Sequence, residues 1–171
     1  MTSSERVLRG IEKYTWIMDR ILTVDVSIDT EFQRRFNGFF RMRQRPADFY
    51  NCFYTFLEEN KHNQQLTFED VITYLYDKTG SIHASFSSKL LAAVNPDMPI
   101  WDQFVLKNLG LRPPYYYEKD RLQKTIALYD KIRGWYTTAD AAEKLSQFNV
   151  AFPEINISNT KKIDFILWSS R

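Results

Sequence analysis

Apolar residues recur three or four positions apart through nearly the whole chain, a spacing that restricts it to packed helices. Val7, Ile11, Tyr14, Met18 and Leu22 form the first stripe, and Phe32, Phe36 and Phe39/Phe40 the second. Phe49, Phe53, Tyr54 and Leu57 form a third, and Val71, Ile72, Leu75 and Tyr76 a fourth. Side chains at these intervals share one face of an α-helix, whereas a strand would send them to both faces. Only 5 glycines and 6 prolines occur among 171 residues, too few for the frequent turns of a sandwich or barrel. The chain reads as all-α: a compact helical domain of about eight or nine helices over residues 1–171, either one body or two lobes with a cleft between them. Hydrophobic residues make up 44% of it, which supplies a core and excludes intrinsic disorder.

Capping residues set the expected boundaries. Ser4 opens a helix running to about residue 22, and Asp29 or Thr30 opens one running to about residue 42. Pro46 starts a third, where a missing amide hydrogen costs nothing. Thr67 and Asp70 form a capping box for the fourth, and Gly80 suits the left-handed position that ends it. A fifth helix spans about 83–94 and stops at Asn95-Pro96-Asp97-Met98-Pro99. Asp102 caps a short sixth helix that Gly110 ends. Helices follow over about 120–136 and 138–148, and a last one over about 161–169. Residues 149–157 are the one plausible strand.

Several function classes drop out. Cys52 is the single cysteine, and with only His62 and His83 beside it no metal or other cofactor is expected. Within its apolar run Cys52 reads as a buried hydrophobe. No run approaches the ~20 apolar residues of a membrane span. Residues 1–6 lack the apolar core of a secretory signal, so the cytoplasm is the expected location. The net charge of +2 does not announce a nucleic-acid binder, but Arg34, Arg35, Arg41, Arg43 and Arg45 cluster locally. They are read either as a solvated face or as phosphate contacts.

The segment 79–105 carries a more specific pattern. Thr79-Gly80-Ser81-Ile82-His83 leads into an apolar helix. Pro99-Ile100-Trp101-Asp102-Gln103-Phe104-Val105 then places an acid at the start of the next helix. This arrangement resembles the catalytic segment of helix-hairpin-helix DNA glycosylases, in which a glycine-containing hairpin precedes a Pro-Val/Ile-x-Asp-x-x-Val element. The resemblance covers about a fifth of the chain. It implies a helical DNA-glycosylase-like scaffold, DNA as partner, no cofactor, and Asp102 as the catalytic carboxylate. Ile82 stands where the family's second hairpin glycine falls, so the hairpin is degenerate. Ala84 stands where lyase-active members carry a nucleophilic lysine. Lys89, five residues on, is about 140° around the helix at ~100° per residue and does not inherit that role.

The chemistry implied is N-glycosidic hydrolysis. As the base departs, positive charge grows on the sugar, and a nearby carboxylate stabilises it and orients water. Asp102 at a helix N-terminus would stay ionised there; the alternative is an ordinary N-cap. Excision also needs the base outside the stack, between aromatic or apolar walls, and Trp101 and Trp168 are candidates for that pocket. Lys78, Gly80, Ser81, His83 and Ser85 surround the hairpin and, with Arg41 and Arg43, are the candidate DNA contacts. Asp97 reads as part of a turn, and Tyr115, Tyr116 and Tyr117 edge a groove or pack a loop. Two readings of function remain: a DNA glycosylase acting without a lysine nucleophile, in repair or in defence against modified phage DNA, and a non-catalytic helical module for DNA or protein binding on the same scaffold.

Overall fold

The computed structural model describes residues 1–170, and among them nine helices and no strand. In chain order these are α1 (Ser3–Ile21), α2 (Thr30–Phe39), α3 (Ala47–Asn60), α4 (Phe68–Thr79), α5 (Ala84–Val94), α6 (Gln103–Asn108), α7 (Arg121–Trp135), α8 (Ala139–Ala151) and α9 (Asn159–Ser169). No helix of the described residues is long and apolar enough to cross a membrane.

Helix ends follow cap chemistry closely. Asp29, Thr67, Asp102, Thr138 and Ser158 each accept a hydrogen bond from a backbone amide in the first turn of the helix they precede. Gly80 closes α4 at φ 74°, where a side chain would be strained. Three boundaries differ from expectation. The cap of α1 is Thr2, not Ser4, because Thr2 and Glu5 satisfy each other's amides reciprocally. Helix α2 stops at Phe39, since Arg41 turns left-handed at φ 56°. The expected strand at 149–157 does not form: α8 runs on to Ala151, keeping Phe148 and Phe152 on one packed face.

The main core draws on all nine helices, around aromatic rings. Phe36 is fully buried, with ring centroids 4.5 Å from Phe40, 5.8 Å from Phe53 and 5.7 Å from Tyr54. A second cluster, Val7, Ile11, Tyr14, Phe148 and Phe165, packs α1 against α8 and α9. There a Cβ on Gly10 would meet the Phe165 ring at 2.9 Å, so the close approach of α1 to α9 depends on that glycine. This packing brings α9 back beside the segment that leads into α6.

Candidate functional site

The segment between α5 and α6 carries Asp102 and is fastened from three helices. The Ser88 hydroxyl on α5 accepts from the Trp101 amide at 2.8 Å. The Tyr129 hydroxyl on α7 donates to the Pro99 carbonyl at 2.8 Å. At the head of α9, Ser158 donates to the Pro96 carbonyl at 2.6 Å and Thr160 to that of Asp97 at 3.0 Å. Asp97 itself lies exposed in the turn. Backbone groups that proline leaves without helical partners are thereby satisfied, and the position of Asp102 is fixed on rigid elements.

Asp102 caps α6, its Oδ1 accepting from the Val105 amide at 3.1 Å, and is 3% exposed. Its charge reaches two further groups, raising the pKa of both Tyr136 and Asp164. Those two belong to a buried polar cluster. The Tyr136 hydroxyl donates to Asp164 Oδ1 at 2.6 Å, and Lys161 Nζ donates to Asp164 Oδ2 at 3.0 Å. Lys161 and Asp164 are 0% and 1% exposed. Burial pushes the Asp164 carboxyl above the usual carboxylate range, against the pull of Lys161 and Tyr136. The Tyr136 phenol is driven well above its ordinary value, chiefly by burial and then by Asp164. The sequence reading missed this cluster, although Lys161 and Asp164 stand at i, i+3 on α9, the spacing of a helical ion pair.

The two tryptophans differ in situation. Trp101 is 7% exposed, and its ring lies parallel to that of Phe68, which itself stacks on Tyr129. A base could lie against that face of Trp101 only after the Phe68 stack opened. Trp168 is half-buried, edge-on to Phe39 and Phe165, with Lys161 Nζ 5.1 Å from its ring centre. A surface concavity of about 500 Å³ lies beside Asn60, Leu66 and Glu69 and does not include Asp102.

The arginine cluster divides. Arg35 turns to α1, pairing with Glu31 at 3.1 Å and lying 4.2 Å from the Trp16 ring centre. Arg34 is exposed on α2. Arg41, Arg43 and Arg45 sit in the connection to α3, also exposed. Arg45 reaches the Phe86 ring of α5, 5.4 Å from its centre, and its charge helps burial to lower the His83 pKa. His83 packs edge-on against Phe49, with Nε2 3.1 Å from the Thr79 hydroxyl. Lys89, also over Phe86 at 5.2 Å, is half-buried, and its pKa is pushed down to about 8 by burial and then by Arg41. Lys78, Gly80 and Ser81 are exposed at the end of α4, while Ser85 is half-buried in the first turn of α5. The ion pairs Arg35–Glu31, Lys61–Glu58, Arg112–Glu118, Arg133–Asp130 and Lys161–Asp164 leave Arg41, Arg43, Arg45, Lys78 and Lys89 out. Among the described residues these five cations are in no ion pair, and Arg41, Arg43 and Arg45 lie on the connection between α2 and α3 and Lys89 on α5.

The connection is strained as well as charged, since both Arg41 (φ 56°) and Gln44 (φ 59°) are left-handed residues with side chains. Arg41→Gly is expected to stabilise the fold by about 1 kcal/mol, because glycine carries no Cβ penalty there. Urea denaturation of the two proteins measures it, and a destabilised variant would show that the Arg41 side chain contributes more than its backbone costs.

No family model, curated protein or solved structure matches the chain.

Proposed function

We propose that the chain binds DNA through the basic connection between α2 and α3 and the hairpin side of α5, and that it removes a damaged or modified base by hydrolysis assisted by Asp102. The observation that carries this reading is the fastening of the 95–102 segment from α5, α7 and α9, which fixes a carboxylate at the head of α6. A catalytic carboxylate has to be held in place before the sugar develops charge, and a position braced from three helices meets that need. The cations without acidic partners supply the second element, since phosphate neutralisation dominates DNA affinity. Trp168, half-buried on α9, is the aromatic wall this reading assigns to an extruded base.

A second reading, binding without excision, is favoured by the 3% exposure of Asp102 and by its use as a helix cap. On that reading the scaffold presents its basic face and Asp102 only holds α6. Excision requires DNA binding, and the non-catalytic module takes DNA or protein as its partner, which makes DNA binding the first test. Duplex affinity should fall steeply with salt, and Arg41→Glu with Arg43→Glu should weaken binding to all sequences alike. The slope of log K against log salt should diminish by about two, roughly one for each lost phosphate contact. Fluorescence anisotropy at several salt concentrations reads both quantities. Unchanged affinity in the double variant would remove this face from the interface.

A further inference from the structure

Three consecutive tyrosines face water between α6 and α7. Tyr116 is 84% exposed, Tyr117 69% and Tyr115 48%, whereas Tyr14, Tyr54 and Tyr129 are almost fully buried. The run therefore does not pack its loop onto the core, yet it is ordered within itself. The Tyr115 and Tyr117 rings lie 14° from parallel with centroids 5.4 Å apart, and Tyr116 stands edge-on to Tyr117 at 5.5 Å. The Arg112 guanidinium lies over Tyr115, 3.8 Å from its ring centre. Glu118 ties the turn together, accepting from the Tyr115 amide at 3.1 Å and pairing with Arg112 at 3.5 Å. Pro113 and Pro114 fix two backbone angles just ahead of the rings. The charge around them is one-sided. Residues 103–124 hold five basic residues against two acids, a larger positive excess than the +2 of the whole chain. Lys107, Lys119 and Lys124 are exposed, and among the described residues none of the three is in an ion pair.

We propose that the run Tyr115–Tyr117 is a stacking platform for the bases of a single-stranded nucleic acid, whose phosphates are met by Lys107, Lys119 and Lys124. An exposed aromatic ring binds another planar face, and neighbouring cations bind anions. A single strand offers both in alternation. A neutral sugar or an apolar peptide would use the rings and leave the cations idle, and a free phosphate would do the reverse. A duplex offers phosphates, but its base faces are covered by their own stack and cannot lie on a tyrosine. Tyr116 and Tyr117 are the rings assigned to the bases, because Arg112 already covers one face of Tyr115. Rings held in place beforehand by the Glu118 turn and the two prolines lose little freedom on binding, which favours affinity. Every base has a π-face, so this surface carries little sequence preference. The site goes beyond the excision reading, since it needs neither Asp102 nor the arginines between α2 and α3.

The test is fluorescence anisotropy of the whole chain with three labelled probes of equal length: an oligothymidylate, the same strand made entirely of abasic sugar phosphates, and a duplex. Wild type should bind the oligothymidylate roughly tenfold or more tighter than the abasic strand, a gain that stacking of one or two bases supplies. Tyr116→Ala with Tyr117→Ala should bring oligothymidylate affinity down to the abasic level. It should keep the slope of log K against log salt, because the phosphate contacts remain. Tyr116→Phe with Tyr117→Phe keeps both rings and should bind as wild type does. These side chains are exposed, and an unchanged melting temperature shows the fold intact in both chains. Equal affinity of wild type for the two strands would make binding purely electrostatic and would overturn the proposal, as would unchanged affinity in the alanine chain. Arg41→Glu with Arg43→Glu separates this site from the duplex face. Single-strand binding that survives there and falls in the alanine chain assigns the strand to the tyrosines, and the opposite pattern overturns the assignment. Wild type that binds the strand but no duplex would leave this site standing and remove the one between α2 and α3. Sedimentation covers the remaining occupant. A dimer that dissociates in the alanine chain, with no strand bound by wild type, would make the run a contact between two copies and would also overturn the site.

Discussion

Lys161→Met is expected to destabilise the fold by about 3–5 kcal/mol at neutral pH, because it leaves one member of a buried ion pair without its partner. Lys161 and Asp164 are 0% and 1% exposed and joined at 3.0 Å, with the Tyr136 hydroxyl on the other carboxylate oxygen. The methionine keeps an unbranched apolar chain of similar length and loses the ammonium, which also lies over the Tyr14 and Trp168 rings, so the loss is chiefly electrostatic. The pH dependence identifies its origin. Burial already raises the Asp164 pKa above 3.8 in the folded protein, and Lys161 is the largest influence opposing that rise. Removing Lys161 moves the folded value further up. A carboxyl whose folded pKa exceeds its unfolded one favours the fold fully below the unfolded value, and that contribution is lost as pH rises through the folded value. The variant should therefore recover much of its stability in acid and lose it toward neutrality. Wild type should show the same trend more weakly. Adding Asp164→Asn to Lys161→Met should restore most of the loss at neutral pH, because the charge disappears while an oxygen remains for Tyr136. Urea unfolding of the three proteins across pH measures this. A Lys161→Met loss that does not change with pH would assign the cost to packing rather than to the stranded carboxylate.

The same cluster marks where sequence reasoning stopped. The stripe Ile163, Ile166 and Leu167 is apolar and helical, and it located α9. It did not reveal that Lys161 and Asp164 turn inward while Ile166 is only half-buried. Periodicity assumes that charge faces water. A lysine and an aspartate three residues apart can satisfy each other inside, and a sequence does not say on which side of the helix they do so. Local features transferred better. Asp29, Thr67, Asp102 and Gly80 stand at the helix ends where cap chemistry alone placed them, because a cap is decided within four residues. The strand expected at 149–157 does not form because α8 continues to Ala151, with Phe148 packed on Phe152. At the candidate site, the contiguous arginines of the sequence fall into two groups. Arg35 pairs with Glu31 one turn earlier on α2 and lies over the Trp16 ring of α1, while Arg45 lies over the Phe86 ring of α5. That last contact depends on how the connection between α2 and α3 lies against α5, which no local pattern encodes.

If the chain excises a base as proposed above, Asp102→Asn is expected to lower excision by roughly a hundredfold or more while keeping the cap of α6. The asparagine can still accept from the Val105 amide, and Asn caps a helix about as well as Asp. The fastening of the 95–102 segment uses Ser88, Tyr129, Ser158 and Thr160, none of which the substitution touches. What disappears is negative charge at a fixed point, the one property the departing base demands of it. Charge also leaves the neighbourhood of Asp164 and Tyr136, whose pKa values, raised chiefly by burial, should relax slightly. The measurement is single-turnover excision on a panel of duplexes carrying modified bases, with melting temperature recorded in parallel. Wild type should leave an abasic strand that breaks only in hot alkali. Borohydride should trap no protein–DNA adduct, since the proposed glycosylase resemblance puts Ala84 at the position of the lysine nucleophile. Full excision by Asp102→Asn would remove the carboxylate from the mechanism, and a trapped adduct would replace hydrolysis with amine chemistry. If neither protein cuts any substrate while both bind duplex equally, Asp102 is the cap of α6 and the chain is a DNA-binding module.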